Sequence, residues 1–181
     1  MSKEEKVLKE NRIFKGRILE FYNDDVLCAN NVVTTREYIK HPGGVCILGF
    51  IDGKIPLVKQ YRYALQKELL ELPAGKLEKG ENPEVGAIRE YEEEVGYKVL
   101  EIQKLGSIIP TCGYSNEVIH LFYAKKLQKT HTNFDIDESI VICLYPLDEV
   151  LKMIDDGKII DAKTIAVIYH YLRLNKWELQ L

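Results

Sequence analysis

A short run of charged residues near the middle of the chain has the residue types that bind a divalent cation. Glu90, Glu93 and Glu94 are spaced so that one helix would carry their carboxylates on a common face. Like charges at these spacings repel by roughly 0.2–0.5 kcal/mol per pair in an isolated helix. A hard cation such as Mg²⁺ would offset the repulsion, because it takes carboxylate oxygens and bridges to phosphates. The spacing alone leaves two interpretations, a metal site or a solvated helix face, and the second is the more common for an arbitrary acidic triplet.

The residues around this run decide between the two interpretations. The glycine and charged positions of the wider string are Gly75, Glu81, Arg89, Glu90, Glu92, Glu93, Glu94 and Gly96. At each of these positions the string resembles the Nudix box, and only Tyr91 and Tyr97 stand where that family usually has an aliphatic residue. The resemblance implies a Nudix fold, which is an α/β/α sandwich built on a mixed sheet with a loop-helix-loop that holds metal.

The same resemblance implies roles for the residues of the box. Glu90 and Glu94 are expected to be the main metal ligands, with Glu93 as a further ligand or as the partner of Arg89. The carbonyl of Ala74 is the expected backbone ligand. Arg89 is expected to form ion pairs that position the glutamates. Arg89 and Glu93 are both candidate catalytic residues. The implied cofactor is Mg²⁺, with Mn²⁺ as the alternative.

Segments on both sides of the box carry a narrower resemblance, to the ADP-ribose pyrophosphatase branch of the Nudix family. They are Arg36-Glu37 before His41-Pro42-Gly43, Val58–Arg62, Glu68–Glu81, Gly113–Glu117 and Asp161–Thr164. This branch splits ADP-ribose into AMP and ribose 5-phosphate. One departure is Cys112, which stands where the branch commonly has a proline. Two alternatives therefore stay open: a hydrolase of another nucleoside diphosphate sugar, and a Nudix-fold sensor that binds ADP-ribose-like ligands without cleaving them.

Four further residues are expected to act at the substrate because of this resemblance. Arg36 and Arg62 are expected to hold a phosphate in a bidentate fork, with an ordinary surface charge as the alternative. Glu71 is expected to accept hydrogen bonds from a ribose hydroxyl or the adenine amine, or else to form a salt bridge. Glu138 is the hypothetical general base, because the branch places a water-activating loop glutamate there; a solvated acidic loop is the alternative.

Helices and strands must position these residues, and the hydrophobic pattern predicts them. A helix is predicted after Pro83 and should end at Gly96, because proline suits a first helical turn and glycine commonly follows a helix. Two more helices are predicted at about 147–154 and 163–174. The predicted strands are Arg17–Tyr22, Val26–Leu27, Val32–Ile39, Val45–Ile51, Ile55–Tyr61, Leu69–Leu72, Val99–Ile109, Val118–Ala124 and Ser139–Tyr145. The pattern predicts a mixed α/β chain whose central helix lies between strands.

Length, charge and cysteine content limit the class of partner. A chain of 181 residues fits one domain with a core and a cleft. The 25 Lys+Arg against 28 Asp+Glu give a net charge of −3, which argues against a nucleic-acid polymer or an anionic membrane as partner. A small nucleoside diphosphate sugar remains the expected partner. No signal peptide or membrane span is indicated, and four widely separated cysteines favour reduced thiols, so a cytoplasmic protein is expected.

The N-terminal region exceeds what a minimal Nudix core requires. Residues 1–41 are expected to be a β-strand region, and residues 42–181 the Nudix hydrolase domain. In the ADP-ribose pyrophosphatase branch such a region reaches across to a second subunit. The resemblance therefore implies a homodimer, with residues 1–41 as its dimerisation region.

Overall fold

The computed structural model describes residues 4–133 and 140–178, which fall into two compact units. The first unit holds the residues up to Gly43 together with Ile109–Val118. The second unit holds Gly44–Ile108 and the residues from Ile119 onward. The sequence prediction divides the chain once, between residues 41 and 42, whereas the first unit also contains the later segment 109–118.

The first unit contains an antiparallel sheet arranged around one long strand. Its strands are β1 (Lys6–Lys9), β2 (Arg12–Lys15), β3 (Glu20–Leu27) and β4 (Val33–Lys40). β3 pairs with each of the other three strands. The backbone amide of Ile39 in β4 donates to the carbonyl of Tyr114 at 2.8 Å, which joins segment 109–118 to this sheet.

Two features of this sheet differ from the sequence prediction. β3 is continuous, so the prediction of separate strands at Arg17–Tyr22 and Val26–Leu27 is wrong. Its polar middle is stabilised because Asp24, which is 4% exposed, accepts hydrogen bonds from the Asn11 amide at 2.8 Å and the Tyr38 hydroxyl at 2.9 Å. β1 and β2 are missing from the prediction. Every residue in them is exposed, so neither strand has the inward apolar alternation that marks a half-buried strand.

The second unit contains a mixed sheet and a smaller antiparallel sheet. Its strands are β5 (Gly44–Gly49), β6 (Ile55–Arg62), β7 (Lys67–Glu71), β8 (Ala74–Lys76), β9 (Tyr97–Ile108), β10 (Ile119–Lys129) and β11 (Ile140–Tyr145). The mixed sheet has the order β8-β5-β10-β9, with β5 and β10 parallel and the other neighbours antiparallel. The antiparallel sheet has the order β11-β6-β7. The strands predicted in this part of the chain are confirmed, and the short strand β8 is additional.

Three α-helices are present among the described residues, all in the second unit. They are α1 (Pro83–Val95), α2 (Leu147–Asp155) and α3 (Ala162–Glu178), and a 3₁₀ turn spans Tyr63–Leu65. The three predicted helices are confirmed, and α3 extends beyond its predicted end. α1 begins where the Asn82 side chain accepts a hydrogen bond from the Glu84 amide at 2.8 Å, and it ends just before Gly96.

The helices of residues 4–133 and 140–178 lack the combination of length and apolar character that crossing a membrane requires.

Helices cover both faces of the mixed sheet. β5 is buried along its whole length, and its side chains alternate between two hydrophobic clusters. Val45 and Ile47 join the cluster that contains α1, whereas Cys46 and Leu48 join the cluster that contains α2 and α3. This is the predicted α/β/α sandwich on a mixed sheet. α1 also contacts β8, the strand that begins the predicted metal-binding loop.

Candidate active site

The backbone of Ala74 and Gly75 lies against two glutamates of α1. The amide of Ala74 donates a hydrogen bond to Oε2 of Glu94 at 2.9 Å, and Glu94 is only 6% exposed. A Cβ atom on Gly75 would lie 1.9 Å from the carboxyl carbon of Glu90, so the approach of this carboxylate requires glycine. The structure therefore brings together Ala74, Glu90 and Glu94, which are three of the four predicted metal-binding residues.

The guanidinium of Arg89 lies among the carboxylates of this site. Its Nε and Nη2 donate to the two carboxylate oxygens of Glu81, each at 3.0 Å. Its Nη1 donates to Oε1 of Glu90 at 2.9 Å and to Oε2 of Glu93 at 3.0 Å. Nη2 also donates to the carbonyl of Lys76 at 3.2 Å. Arg89 therefore ties the loop that precedes α1 to the helix itself.

The contact between Arg89 and Glu81 stabilises the charged form of both groups. The hydrogen bond from Arg89 holds the pKa of Glu81 below its usual value, against the opposing effect of burial. The same hydrogen bond raises the pKa of Arg89 further above its usual value. Both groups are therefore ionised at neutral pH, and their pairing persists well into the acidic range.

The donor atoms of the site suit a hard divalent cation. The three α1 glutamates and the carbonyl of Ala74 offer oxygen ligands, which are the ligands that Mg²⁺ and Mn²⁺ prefer. Because Gly75 has no side chain, the Glu90 carboxylate occupies the place that a Cβ atom would take. Among the described residues, no group of three or more acidic, histidine or cysteine side chains is already arranged to hold a metal ion. Cation binding would therefore exchange some contacts to Arg89 and to the Ala74 amide for contacts to metal.

Arg62 and Glu71, which the sequence predicts at the substrate, are paired with each other. Nε and Nη2 of Arg62 donate to the two carboxylate oxygens of Glu71, each at 2.6 Å. Glu71 is 2% exposed, and Lys163 donates to the same carboxylate. Burial acts to raise the pKa of Glu71, but the hydrogen bonds and charges of Arg62 and Lys163 outweigh it, so the pKa is lowered. The salt bridge is observed, and the role at the substrate stays a prediction.

Three residues around the start of α3 belong to the same cluster and are absent from the predicted site. Oδ1 of Asp161 accepts from Nζ of Lys163 at 2.9 Å, and its Oδ2 accepts from the Thr164 amide at 3.0 Å and hydroxyl at 2.6 Å. Oγ1 of Thr164 in turn accepts from the Leu72 amide at 2.8 Å. An aspartate just before a helix signals an N-cap. That local signal gives no hint that Lys163 meets Glu71, which lies 92 residues away.

Arg36 and Glu138 are the two predicted residues that remain. Arg36 belongs to the first unit, where its Nε donates to Oε2 of Glu5 at 2.9 Å and its Nη2 contacts Sγ of Cys28 at 3.5 Å. Glu138 lies outside the described residues. The substrate-binding role of Arg36 and the general-base role of Glu138 both stay predictions.

A cavity of about 660 Å³ borders α1 within the second unit. Arg89 and Glu93 line it from the helix, and Lys98 and His131 line it from residues that follow the helix. It is more open to solvent than enclosed. A small molecule bound in this cavity would lie beside two of the residues that the sequence predicts to be catalytic.

Comparisons with known proteins cover nearly the whole chain. A family profile described as NUDIX domain matches residues 40–167. The chain is 39% identical over 178 residues to an ADP-ribose pyrophosphatase of Bacillus subtilis (strain 168), which covers 97% of this chain and 96% of the relative. It is 41% identical over 176 residues to a methanol dehydrogenase activator of Bacillus methanolicus, which covers 96% of this chain and 95% of the relative.

A solved structure shows the same fold at low sequence identity. The crystal structure of an ADP compounds hydrolase matches with a TM-score of 0.85 and 18% identity, covering 98% of this chain and 97% of that one. At that identity the match establishes the architecture and leaves the choice of substrate to other observations.

Proposed function

Since this chain belongs to the Nudix family and is a pyrophosphatase of that family, we propose that it hydrolyses the diphosphate bond of ADP-ribose to AMP and ribose 5-phosphate. The observation that best supports this activity is the contact between α1 and β8. There the Glu90 carboxylate lies against Gly75, and the Glu94 carboxylate accepts a hydrogen bond from the Ala74 amide. The choice of ADP-ribose is supported by the 39% identity to the Bacillus subtilis pyrophosphatase. Because of the departure at Cys112, another nucleoside diphosphate sugar is the alternative substrate.

The proposed cofactor is Mg²⁺, with Mn²⁺ as the alternative. Glu90, Glu94 and the carbonyl of Ala74 would hold it, and Glu93 would be a further ligand. When bound, the cation supplies Lewis-acid stabilisation of the negative charge on the diphosphate. The oxygen donors and the close approach of the Glu90 carboxylate to Gly75 support this assignment.

The proposed work of Arg89 is to keep the glutamates in place during turnover. It contacts Glu81 in the loop and both Glu90 and Glu93 in the helix, so it restrains the loop and the helix together. Restraint of this kind contributes to rate because small displacements of reacting groups slow a reaction strongly. Arg89 would therefore act through the positions of other residues.

Glu138 is the proposed general base, which would take the proton from the attacking water. The assignment of Glu90 and Glu94 to metal favours a separate carboxylate for this step, and Glu93 is the alternative base. Turnover of Glu138→Gln and Glu93→Gln at saturating ADP-ribose distinguishes the two. A large loss in Glu138→Gln supports the proposal, whereas unchanged turnover there and abolished turnover in Glu93→Gln would assign the base to Glu93.

Arg36 and Arg62 are the proposed phosphate-binding residues, and Glu71 is the proposed partner of the ribose or the adenine. The Arg62 side chain is 40% exposed although it is paired with Glu71, so a ligand in solvent can reach it. A guanidinium binds phosphate with the same forked geometry that it uses for a carboxylate. Arg62 would therefore exchange one anion for the other, while Lys163 stays on Glu71.

A hydrolysis panel in the presence of Mg²⁺ tests the proposed reaction. The substrates are ADP-ribose, GDP-mannose, UDP-glucose, NADH and FAD, the products are identified by chromatography, and Glu94→Gln is the control. We expect the highest kcat/KM for ADP-ribose. Glu94→Gln should be about a thousandfold slower, which corresponds to ~4 kcal/mol of lost transition-state stabilisation. A higher kcat/KM for another sugar nucleotide would reassign the substrate, and ADP-ribose binding without any cleavage would identify a sensor.

Activation of a methanol dehydrogenase is a second candidate function. It is favoured by the 41% identity to the Bacillus methanolicus activator, which extends over nearly as much of the chain as the pyrophosphatase match. The test adds wild-type protein or Glu94→Gln to purified methanol dehydrogenase and records the initial rate. Acceleration by wild type alone would link activation to the hydrolytic site, and the absence of acceleration would exclude this function.

We also propose that the chain is a homodimer joined through the first unit. Apolar side chains on β1 and β2 are half exposed or more: Val7 at 57%, Leu8 at 50%, Ile13 at 61% and Phe14 at 63%. Isolated exposed apolar residues are ordinary, but several on two short strands that both pair with β3 support an interaction surface. A second copy of the chain is the proposed cover for that surface. The cytoplasmic location expected from the sequence stays a prediction.

A further inference from the structure

A largely buried cluster of four charges lies where β6, β7 and the start of α3 meet. Its cations are Arg62 and Lys163 and its anions are Glu71 and Asp161, so the charges balance. The side chains of Glu71, Lys163 and Asp161 are 3%, 14% and 15% exposed, whereas that of Arg62 is 40% exposed. A buried carboxylate is strongly destabilising once its counter-ion leaves. Lys163 is the more enclosed cation, so it can stay on Glu71 when Arg62 turns towards a ligand.

The segment from Glu71 to Ala74 connects this cluster to the metal site, and each of its residues is anchored separately. Nζ of Lys163 donates to the Glu71 carboxylate, and the Leu72 amide donates to Oγ1 of Thr164 at 2.8 Å. The Pro73 carbonyl accepts from the Ile47 amide at 2.9 Å, and the Ala74 amide donates to Oε2 of Glu94 at 2.9 Å. α3 therefore holds the first half of the segment, and β5 and α1 hold the second half. Leu72 is separated from Ala74 by only two peptide units, so a shift at Leu72 would have a short path to Ala74.

We propose that Lys163 is a positioning residue for the metal site. It keeps Glu71 neutralised and, together with Thr164, holds segment 71–74 in place while Arg62 is engaged with substrate. Asp161 supports both residues, since it accepts hydrogen bonds from the Lys163 ammonium and the Thr164 hydroxyl. This inference rests on the proposed function, because it concerns Ala74 and Glu94 as ligands of the catalytic cation.

A purely structural role for the cluster makes a different prediction. In that case, loss of Lys163 would lower the temperature of unfolding but would leave the cation affinity of the folded protein unchanged. If Lys163 positions the segment, the folded variant should bind cation more weakly. Cation affinity, measured at a temperature where each variant is folded by circular dichroism, separates the two roles.

The first experiment measures Mn²⁺ binding by the intensity of the free-ion signal in electron paramagnetic resonance. We expect Lys163→Met to weaken binding about tenfold, the size of effect seen when residues that orient metal ligands are changed. Lys163→Arg keeps the charge and should restore most of the affinity. Lys158→Met is the matched control, because Lys158 is 66% exposed and lies 3.8 Å from Asp156 outside the cluster. Wild-type affinity in folded Lys163→Met would overturn the proposal.

A second variant tests the same path without removing a charge. Thr164→Val has nearly the same shape and deletes the hydroxyl that accepts from Leu72. Because all four charges of the cluster remain, this variant should fold even if Lys163→Met does not. We expect weaker Mn²⁺ binding in Thr164→Val, and unchanged binding would overturn the proposal.

Steady-state kinetics test whether Lys163 allows Arg62 to leave Glu71 and bind substrate. In Lys163→Met, Glu71 would keep Arg62 as its counter-ion, so KM for ADP-ribose should rise. A structural defect alone would lower kcat at unchanged KM, because fewer molecules would be active, and that result would overturn the release of Arg62. If wild type neither binds Mn²⁺ nor cleaves ADP-ribose, the proposed function itself fails. If wild type does both and the variants behave like it, only the inference about Lys163 fails.

Discussion

Gly75 determines how closely α1 can approach β8. The Glu90 carboxyl carbon lies 1.9 Å from the place of a Cβ at residue 75, so Gly75→Ala must displace that carboxylate. The clash is with the far end of a flexible side chain, and the core should be unaffected. We expect kcat to fall about a hundredfold, as for a displacement of ~1 Å at a catalytic group. Wild-type turnover in Gly75→Ala, with circular dichroism showing a folded protein, would contradict this.

Glu71 should make the stability of the chain depend on pH. Although burial opposes it, Arg62 and Lys163 lower the pKa of Glu71 from its usual 4.5. A carboxyl whose folded pKa is depressed contributes stability that is complete above its unfolded pKa and is lost as pH falls through the folded pKa. Urea unfolding should therefore give a free energy that declines below about pH 4.5, and Glu71→Gln should flatten the decline.

The same substitution has an effect at neutral pH and a matched control. Glu71→Gln leaves Arg62 and Lys163 without their shared carboxylate, so we expect a loss of about 3 kcal/mol at pH 7. Glu68→Gln is the control, because the Glu68 side chain is 56% exposed on the same strand and should leave the pH profile as it is. Equal pH dependence in Glu71→Gln and wild type would exclude Glu71 as the titrating group.

The residues of the proposed metal site could be named from the sequence because the requirements for them are local. Gly75, Glu90 and Glu94 fall within one short string, in which glycine is needed for close approach and glutamate for its oxygens. Lys163 is different, since its partner lies 92 residues away and no local pattern connects them. Arg62 shows a further limit. Its residue type indicates anion binding, but phosphate and carboxylate take the same fork, so the sequence does not reveal which anion it meets.

At the scale of elements, α1 and β5 pack closely where the large side chain of Tyr91 in the helix meets Gly49 in the strand. Tyr91 is fully buried, and a Cβ on Gly49 would lie 2.3 Å from its hydroxyl oxygen. Gly49→Ala should therefore lower the free energy of unfolding by about 1–3 kcal/mol through overpacking. Tyr91→Leu in the same chain should recover part of that loss, because leucine ends short of the contact. Tyr91 gives up no hydrogen bond on replacement, since its buried hydroxyl has no partner among the described residues.

A double-mutant cycle by urea unfolding measures this match. The cycle compares wild type, Gly49→Ala, Tyr91→Leu and the double variant. Contacting residues should show a coupling energy, whereas independent ones add. Strict additivity would contradict the size match between helix and strand.

β5 and α1 are predicted correctly because each buries a recognisable apolar pattern. β5 is a continuous apolar run buried on both sides, and α1 buries Ala87, Tyr91 and Val95 at helical spacing. β1 and β2 bury no face, and their pairing with β3 is specified by backbone hydrogen bonds that carry no side-chain signature. Such strands are missed because they bury no face. For the same reason, their apolar side chains stay exposed on the surface.

At the scale of the whole molecule, the surface on β1 and β2 predicts self-association. Sedimentation velocity should give a species of twice the 20.9 kDa chain mass. Phe14→Asp places a charge on that surface and should shift the protein to monomer. Val141→Asp is the matched control, because Val141 is 57% exposed on β11 in the second unit. Monomeric wild type, or a Phe14→Asp variant that stays dimeric, would contradict the prediction.

Cation and product should stabilise the folded chain by mass action. At a free Mn²⁺ concentration about a hundredfold above its Kd, the gain is about 2.7 kcal/mol. For a chain of this length that corresponds to a rise of roughly 5–10 °C in Tm, which scanning fluorimetry with and without EDTA would detect. Glu94→Gln should lose most of the rise. Glu101→Gln, an exposed substitution on β9, should keep it, and an equal rise in Glu94→Gln would place the cation elsewhere.

The anchoring of segment 71–74 by α3 has a consequence for the growing polypeptide. Lys163 and Thr164 are made 92 residues after the residues that they hold. The glutamates of α1 leave the ribosome long before them, so a nascent chain carries every expected carboxylate ligand while two of the four anchors are still to be synthesised. Competence for hydrolysis should therefore arise only after α3 has emerged and completes the site.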